Sequence, residues 1–161
     1  MSYRISKYNP KYRVDDAYLR DEWTEFSDIG HMFEDGILAF EEYEEIEKNY
    51  INFIIDICRK VHVTHFIIRN LENYDLAQWK EGESLDFNKL QQFVRDCLRN
   101  KCWGIVCSNN IKISFRYDYY IYLECKLKYI IIKKISQKYN LYSEIKKFPW
   151  SKFSIFTKRE T

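Results

Sequence analysis

His62 and His65 stand three residues apart, with Cys58 four residues before the first. Imidazole and thiolate together make a donor set that holds zinc. Here the three residues straddle an expected helix end and a strand, where positions i and i+3 point to opposite faces, so they are read as structural. Cys97, Cys102 and Cys107 repeat at five-residue spacing, which matches no zinc pattern and suits small apolar residues in a core. His31, with a Lys or Asp118 as counterpart, is the pair open to a metal-independent ribonuclease, which needs a general acid and a general base. Nothing in the spacing selects it. Gly30, Gly36, Gly82 and Gly104 are isolated, so neither a phosphate-cradling P-loop nor a dinucleotide fingerprint is present. HExxH, GxSxG and CxxC are missing as well. The expectation is a protein that is not an enzyme, with no catalytic residues, no metal site and no cofactor.

Charge is informative where chemistry is not. The net charge is only +2, yet thirteen carboxylates face Arg20 alone between Asp15 and Glu47, a local −12. From Lys126 onward ten Lys and Arg face Glu144 and Glu160, a local +8. A dense acidic block steers a basic partner onto itself and repels nucleic acid. The competing reading of residues 41–47 is a solvated helix face balanced by the basic C-terminal region. In residues 15–35 the acids are mixed with aromatics that an interface can use.

With 161 residues and 19.9 kDa the chain suits one domain, spanning 1–161. Hydrophobic residues at 46% against 31% charged supply a core and exclude disorder along its length. Five cysteines, an odd number without an export signal, point to free thiols. No apolar run approaches the roughly 18 residues of a membrane span, and the N-terminus has no apolar signal core. A cytoplasmic protein with no membrane association is expected.

The elements follow from periodicity. Tyr3 to Tyr8 alternate and predict a short strand stopped by Asn9-Pro10. Residues 11–36 hold no period and read as a long acidic loop, ordered by Tyr12, Tyr18, Trp23, Phe26 and Phe33. Phe40, Tyr43, Ile46, Tyr50, Ile54, Ile57 and Val61 predict an amphipathic helix over 39–61. Residues 63–68 read as a buried strand. Asp86 is an N-cap candidate for a helix over 87–99, with Leu85 and Leu90 as its staple and Leu90, Phe93, Val94, Cys97 and Leu98 facing the core. Residues 102–107, 111–115 and 119–123 predict an antiparallel meander, its first turn using left-handed Asn109 or Asn110. Leu127, Ile130, Ile131, Ile135 and Tyr139 suit a helix over 125–139 followed by Asn140, although Ile130 to Ile132 also fit a strand. A basic, aromatic tail covers 146–161. The fold class is α+β: an antiparallel sheet, made of the late three-stranded meander plus one or two further strands, packed by two or three helices.

The opening SYRISKYNPKYR, the segment DEWTEFSDIG, the helix LAFEEYEEIEKNYI and the late FRYDYYIYL together resemble small bacterial immunity proteins of contact-dependent growth inhibition and related polymorphic toxin systems. The resemblance runs to about Tyr142. Ala39 departs from it, standing where such proteins often have a hydroxyl-bearing helix cap. The resemblance implies a cytoplasmic, non-enzymatic inhibitor that forms a heterodimeric complex with the C-terminal toxin domain of its cognate effector, often a nuclease, and occludes its active site. Clustered carboxylates complement the Lys, Arg and His of such an active site. The candidate partner-binding residues are therefore Asp21, Glu22, Trp23, Glu25, Phe26, Asp28, Glu34 and Asp35 of the acidic loop, with Asp118 and Tyr120 of the late hairpin. Trp23 and Phe26 are the anchor candidates, the alternative being that both fold inward and pin the loop. Two rivals stand beside this reading: a nucleic-acid-binding protein working through the basic aromatic residues 126–159, and a homo-oligomer burying its aromatic surface on itself.

Overall fold

In a computed structural model, which describes residues 1–74 and 77–149, the expected α+β architecture is present. Strand β1 (Ser2–Ser6) ends before Asn9, whose side chain accepts from Lys11 N and caps a short turn opened by Pro10. The acidic loop is more regular than its sequence suggests. It folds as two miniature hairpins, β2 (Arg13–Val14) with β3 (Ala17–Tyr18) and β4 (Met32–Phe33) with β5 (Gly36–Ile37), separated by a turn at Phe26–Asp28. Helix α1 (Phe40–Lys60), β6 (Phe66–Asn73), β7 (Ser84–Leu85) and α2 (Phe87–Leu98) follow. The chain then forms β8 (Cys102–Cys107), β9 (Ile111–Phe115), β10 (Ile121–Cys125), α3 (Tyr129–Lys138) and β11 (Tyr142–Ile145).

The main sheet runs β11-β1-β10-β9-β8-β6-β7, and every neighbouring pair is antiparallel. The expected meander β8-β9-β10 is present and lies at its centre, but four further strands join it rather than one or two. The unforeseen edges β7 and β11 have two and four residues, too few to show a period. Along β9, Ile111, Ile113 and Phe115 pair in register with Cys125, Leu123 and Ile121, and the row continues to Tyr3 and Ile5 of β1; all are buried. This apolar face meets α2, where Phe93 packs edge-on against Phe115, and α1 packs on both α2 and α3.

Several local expectations shift for physical reasons. Asp86 caps α2 by accepting from Lys89 N at 2.8 Å, and Asn140 takes the left-handed φ foreseen after α3. Ala39 is the N-cap of α1 without a side-chain hydrogen bond, and Phe40, expected in the core, is 43% exposed. Strand β6 starts three residues later than expected because left-handed His62 and a Val63 N to Cys58 O bond continue the helix end. It is buried on one face only, with Phe66 and Ile68 inside and Ile67 outside. The Asn109-Asn110 turn needs no left-handed residue. Positive φ falls instead on Asp118 and Tyr119 before β10, an unusual conformation for a bulky side chain. Residues 125–128 are strand end and turn, so α3 begins at Tyr129. Of the basic tail, residues 150–161 lie outside the described residues.

All five thiols are free. Burial pushes Cys58 up to about 12, and it raises Cys97, Cys107, Cys125, Tyr8, Tyr50 and Tyr119 as well. The unfolded chain releases these protons near the ordinary thiol and phenol values of 9.0 and 10.0. A folded state that still holds them is stabilised below pH 9 and loses that stability as pH rises toward the folded values. Buried Lys7, lowered to about 8 by desolvation, works in the opposite sense between pH 8 and 10.5, one group against seven. Urea midpoints measured from pH 8 to 11 will therefore fall above pH 9; a flat or rising profile would contradict the burial of these groups.

Candidate functional site

The acidic loop is held by its own aromatics. Trp23 is 6% exposed, with its ring 5.4 Å from that of Tyr43 and 5.1 Å from that of Tyr119. Phe26 is half-buried, edge-on to Tyr43 at 5.0 Å, with the Arg99 guanidinium 5.0 Å from its centre. The inward reading therefore holds for both rings. Trp23 in particular does not present its indole to a partner, because a long loop keeps one conformation only by burying apolar area to offset its chain entropy.

Beneath those rings lies a polar network. The Tyr43 hydroxyl donates to Glu47 at 2.9 Å and is hydrogen-bonded to the Tyr119 hydroxyl. Tyr50 donates to Tyr119 O at 2.8 Å and accepts from Lys7 N at 2.7 Å. These bonds fix Tyr119 in its left-handed conformation. Glu47, 1% exposed, also accepts from Arg99 at 2.8 and 2.9 Å and from Arg95 at 3.2 Å. Sequence reasoning placed Glu47 in the acidic block without seeing that its helix position, four residues from Tyr43, turns it inward.

The acids of the loop divide into two groups. Glu34 and Asp35 clamp Arg20 at 3.2 and 2.8 Å, and Glu22 accepts from Lys7 at 3.2 Å and from Tyr18 at 2.7 Å. Asp28 accepts from Thr24 N and Glu25 N, closing its own turn, and Asn100 donates to Glu25. Asp16 is pulled well below the usual carboxylate range by hydrogen bonds from Arg4 and Lys146. Asp15, Asp21, Glu41, Glu42 and Glu45, by contrast, are exposed and have no ion-pair partner among the described residues. Part of the −12 read from sequence is thus neutralised inside the fold, and these five carboxylates are the part left to act outward.

Asp21, Glu22, Asp35 and Glu42 line a cavity of about 180 Å³ together with Lys7. Its apolar walls include Trp23, Phe33, Leu38 and Ile46. Lys7 Nζ lies 4.2 Å from the centre of the Trp23 ring and 4.2 Å from that of Tyr8. The β4-β5 hairpin forms one wall through Phe33 and Gly36. On its other face Met32 and Ile37, direct cross-strand partners, are 68% and 60% exposed. Phe40 lies three residues beyond Ile37 and is also exposed. Single exposed apolar residues are ordinary; here two of them form a cross-strand pair on an ordered hairpin beside a carboxylate-lined cavity.

Asp118 and Tyr120 are brought to the same region, since a neighbouring cavity of about 280 Å³ is lined by both of them with Tyr18, Arg20 and Glu22. Asp118 is exposed, whereas Tyr120 is engaged: its hydroxyl accepts from Arg13 at 2.8 Å, and the Arg4 and Arg13 guanidinium groups each lie 5.2 Å from its ring centre. Sequence reasoning missed Lys7, Met32, Ile37, Phe40 and Glu42. The available signal was Glu34-Asp35-Gly36 between apolar pairs, a hairpin turn with Gly36 at φ 118°.

The other chemistry-bearing residues stay apart. Cys58 is buried, while His31, His62 and His65 are exposed, His65 Nδ1 pairing only with Thr64 Oγ1 at 2.9 Å. Among the described residues no group of three or more His, Cys, Asp or Glu is placed to hold a metal ion, and no helix is long and apolar enough to cross a membrane. Of the described aromatics of the basic region, Tyr139 donates to Asp56 and Phe148, 3% exposed, sits under the Lys112 ammonium at 4.4 Å, whereas Tyr142 is 37% exposed. Comparison of the chain with protein-family models finds no match, and comparisons with curated proteins and with solved structures find none either.

Proposed function

We propose that this chain is a cytoplasmic immunity protein that neutralises a toxin domain by binding it one to one, without catalysis of its own. The observation that carries the reading is the acid-lined cavity beside the exposed Met32-Ile37 pair on an ordered hairpin. The carboxylates complement the cationic groups with which a nuclease holds phosphate and speed the encounter. Charge alone does not neutralise a toxin. Nanomolar affinity needs about −12 kcal/mol, and such energy concentrates in a few large side chains that become fully desolvated. In this reading Met32, Ile37 and Phe40, all exposed, take that role in place of buried Trp23.

The surface is tested by two variants titrated against the C-terminal domain of whatever protein is encoded immediately upstream of this chain. Asp21→Lys with Glu42→Gln will weaken binding about 100-fold or more, mainly by slowing association. Met32→Ser with Ile37→Ser will do so by speeding dissociation. All four side chains are exposed, so unfolding free energies will stay within about 1 kcal/mol of the parent. Parental affinity in both variants would remove this face as the interface.

A further inference from the structure

A second surface lies at the far end of α1. Asp56, Arg59, Lys60 and His62 form one wall of a groove of about 700 Å³, and Lys134 and Lys138 of α3 edge the other, above a floor of Ile131 and Ile135. Its one carboxylate, Asp56, is already taken by Lys138 at 2.7 Å and by the Tyr139 hydroxyl. Lys60 and Lys134 are exposed and have no ion-pair partner among the described residues. Ile130, on the row of α3 that carries Lys134 and Lys138, is 56% exposed. Eighteen residues separate Glu42 from Lys60 on α1, about 27 Å at 1.5 Å per residue. The acid-lined face and this groove are therefore separate and can be filled together.

We infer that the groove receives an acidic amphipathic helix of a second protein partner. The charge of its rim selects an anion. The floor then decides which kind, since two aliphatic side chains at i and i+4 match the apolar stripe of a helix, the arrangement of helix-in-groove recognition. A single-stranded nucleic acid requires aromatic faces on which bases stack. The aromatic ring next to this groove, Tyr139, is half-buried and tied to Asp56.

The test uses fluorescence anisotropy of the full chain at low salt with three probes. One is a labelled 16-residue peptide with Leu at alternating spacings of three and four and Glu elsewhere; another is a peptide of Glu alone; the last is a twelve-nucleotide oligouridylate. The amphipathic peptide will bind saturably, at least about ten-fold more tightly than either other probe. Lys60→Gln with Lys134→Gln will weaken it at least about ten-fold, and so will Ile131→Ser, with the melting temperature of each variant checked in parallel. The lysine pair is exposed, so its effect cannot arise from misfolding. Equal binding of the all-Glu peptide, preferential binding of the oligouridylate, undiminished binding by the lysine variant, or no binding of the amphipathic peptide would each overturn the inference.

Discussion

Replacing Trp23 with alanine will lower the free energy of unfolding by about 3 to 4 kcal/mol, the lower part of the range for truncating a large buried aromatic. The indole is 6% exposed and packs on Tyr43 and Tyr119, with the Lys7 ammonium 4.2 Å from its centre. Its removal opens a cavity under the acidic loop and ends the cation–π contact. Phe26→Ala, at a half-buried ring, will cost less. The two readings of Trp23 make opposite forecasts for one variant. A pin loses stability when truncated, whereas a solvent-facing anchor loses partner affinity with the urea midpoint unmoved. A midpoint within error of the parent would contradict the inward placement.

Glu47→Ala will cost about 2 to 3 kcal/mol, and the reason is what it leaves behind. Arg95, Arg99 and Tyr43 all donate to this one carboxylate. Deleting one partner of a buried ion pair strands the others without compensation, typically at about 3 to 5 kcal/mol. Arg95 and Arg99 are 42% and 21% exposed and regain water, which brings the loss below that range. Glu47→Gln keeps an acceptor for Tyr43 and will cost roughly half as much. Glu47→Leu combined with Arg99→Met will recover part of the loss, because it removes the stranded charge together with its partner. Chemical denaturation of the four proteins at pH 7 checks the order; a wild-type midpoint for Glu47→Ala would contradict the network.

The helices and the central meander were legible because they carry sustained periods. Tyr43, Tyr50, Ile54 and Ile57 mark the inner face of α1, residues 111–115 alternate apolar and polar types, and residues 102–107 make a largely apolar run of strand length that is mostly buried. The sheet edges were not, because two or four residues show no period and are placed by the strands they join. The site was half legible. Composition located the acids, but whether a carboxylate faces solvent depends on long-range cations. Arg20 meets Glu34 and Asp35 across fourteen and fifteen residues, and Arg99 meets Glu47 across fifty-two. The exposed Met32-Ile37 pair required the hairpin register, set by Gly36, which an unperiodic stretch conceals.

The central claim, that this chain neutralises a toxin by binding it, is tested most directly by co-expressing it with the C-terminal domain of the protein encoded immediately upstream and measuring growth and co-purification together. The account predicts restored growth and a one-to-one complex that survives purification, both lost in Asp21→Lys with Glu42→Gln. Growth arrest that this chain does not relieve, with no complex recovered, would contradict it.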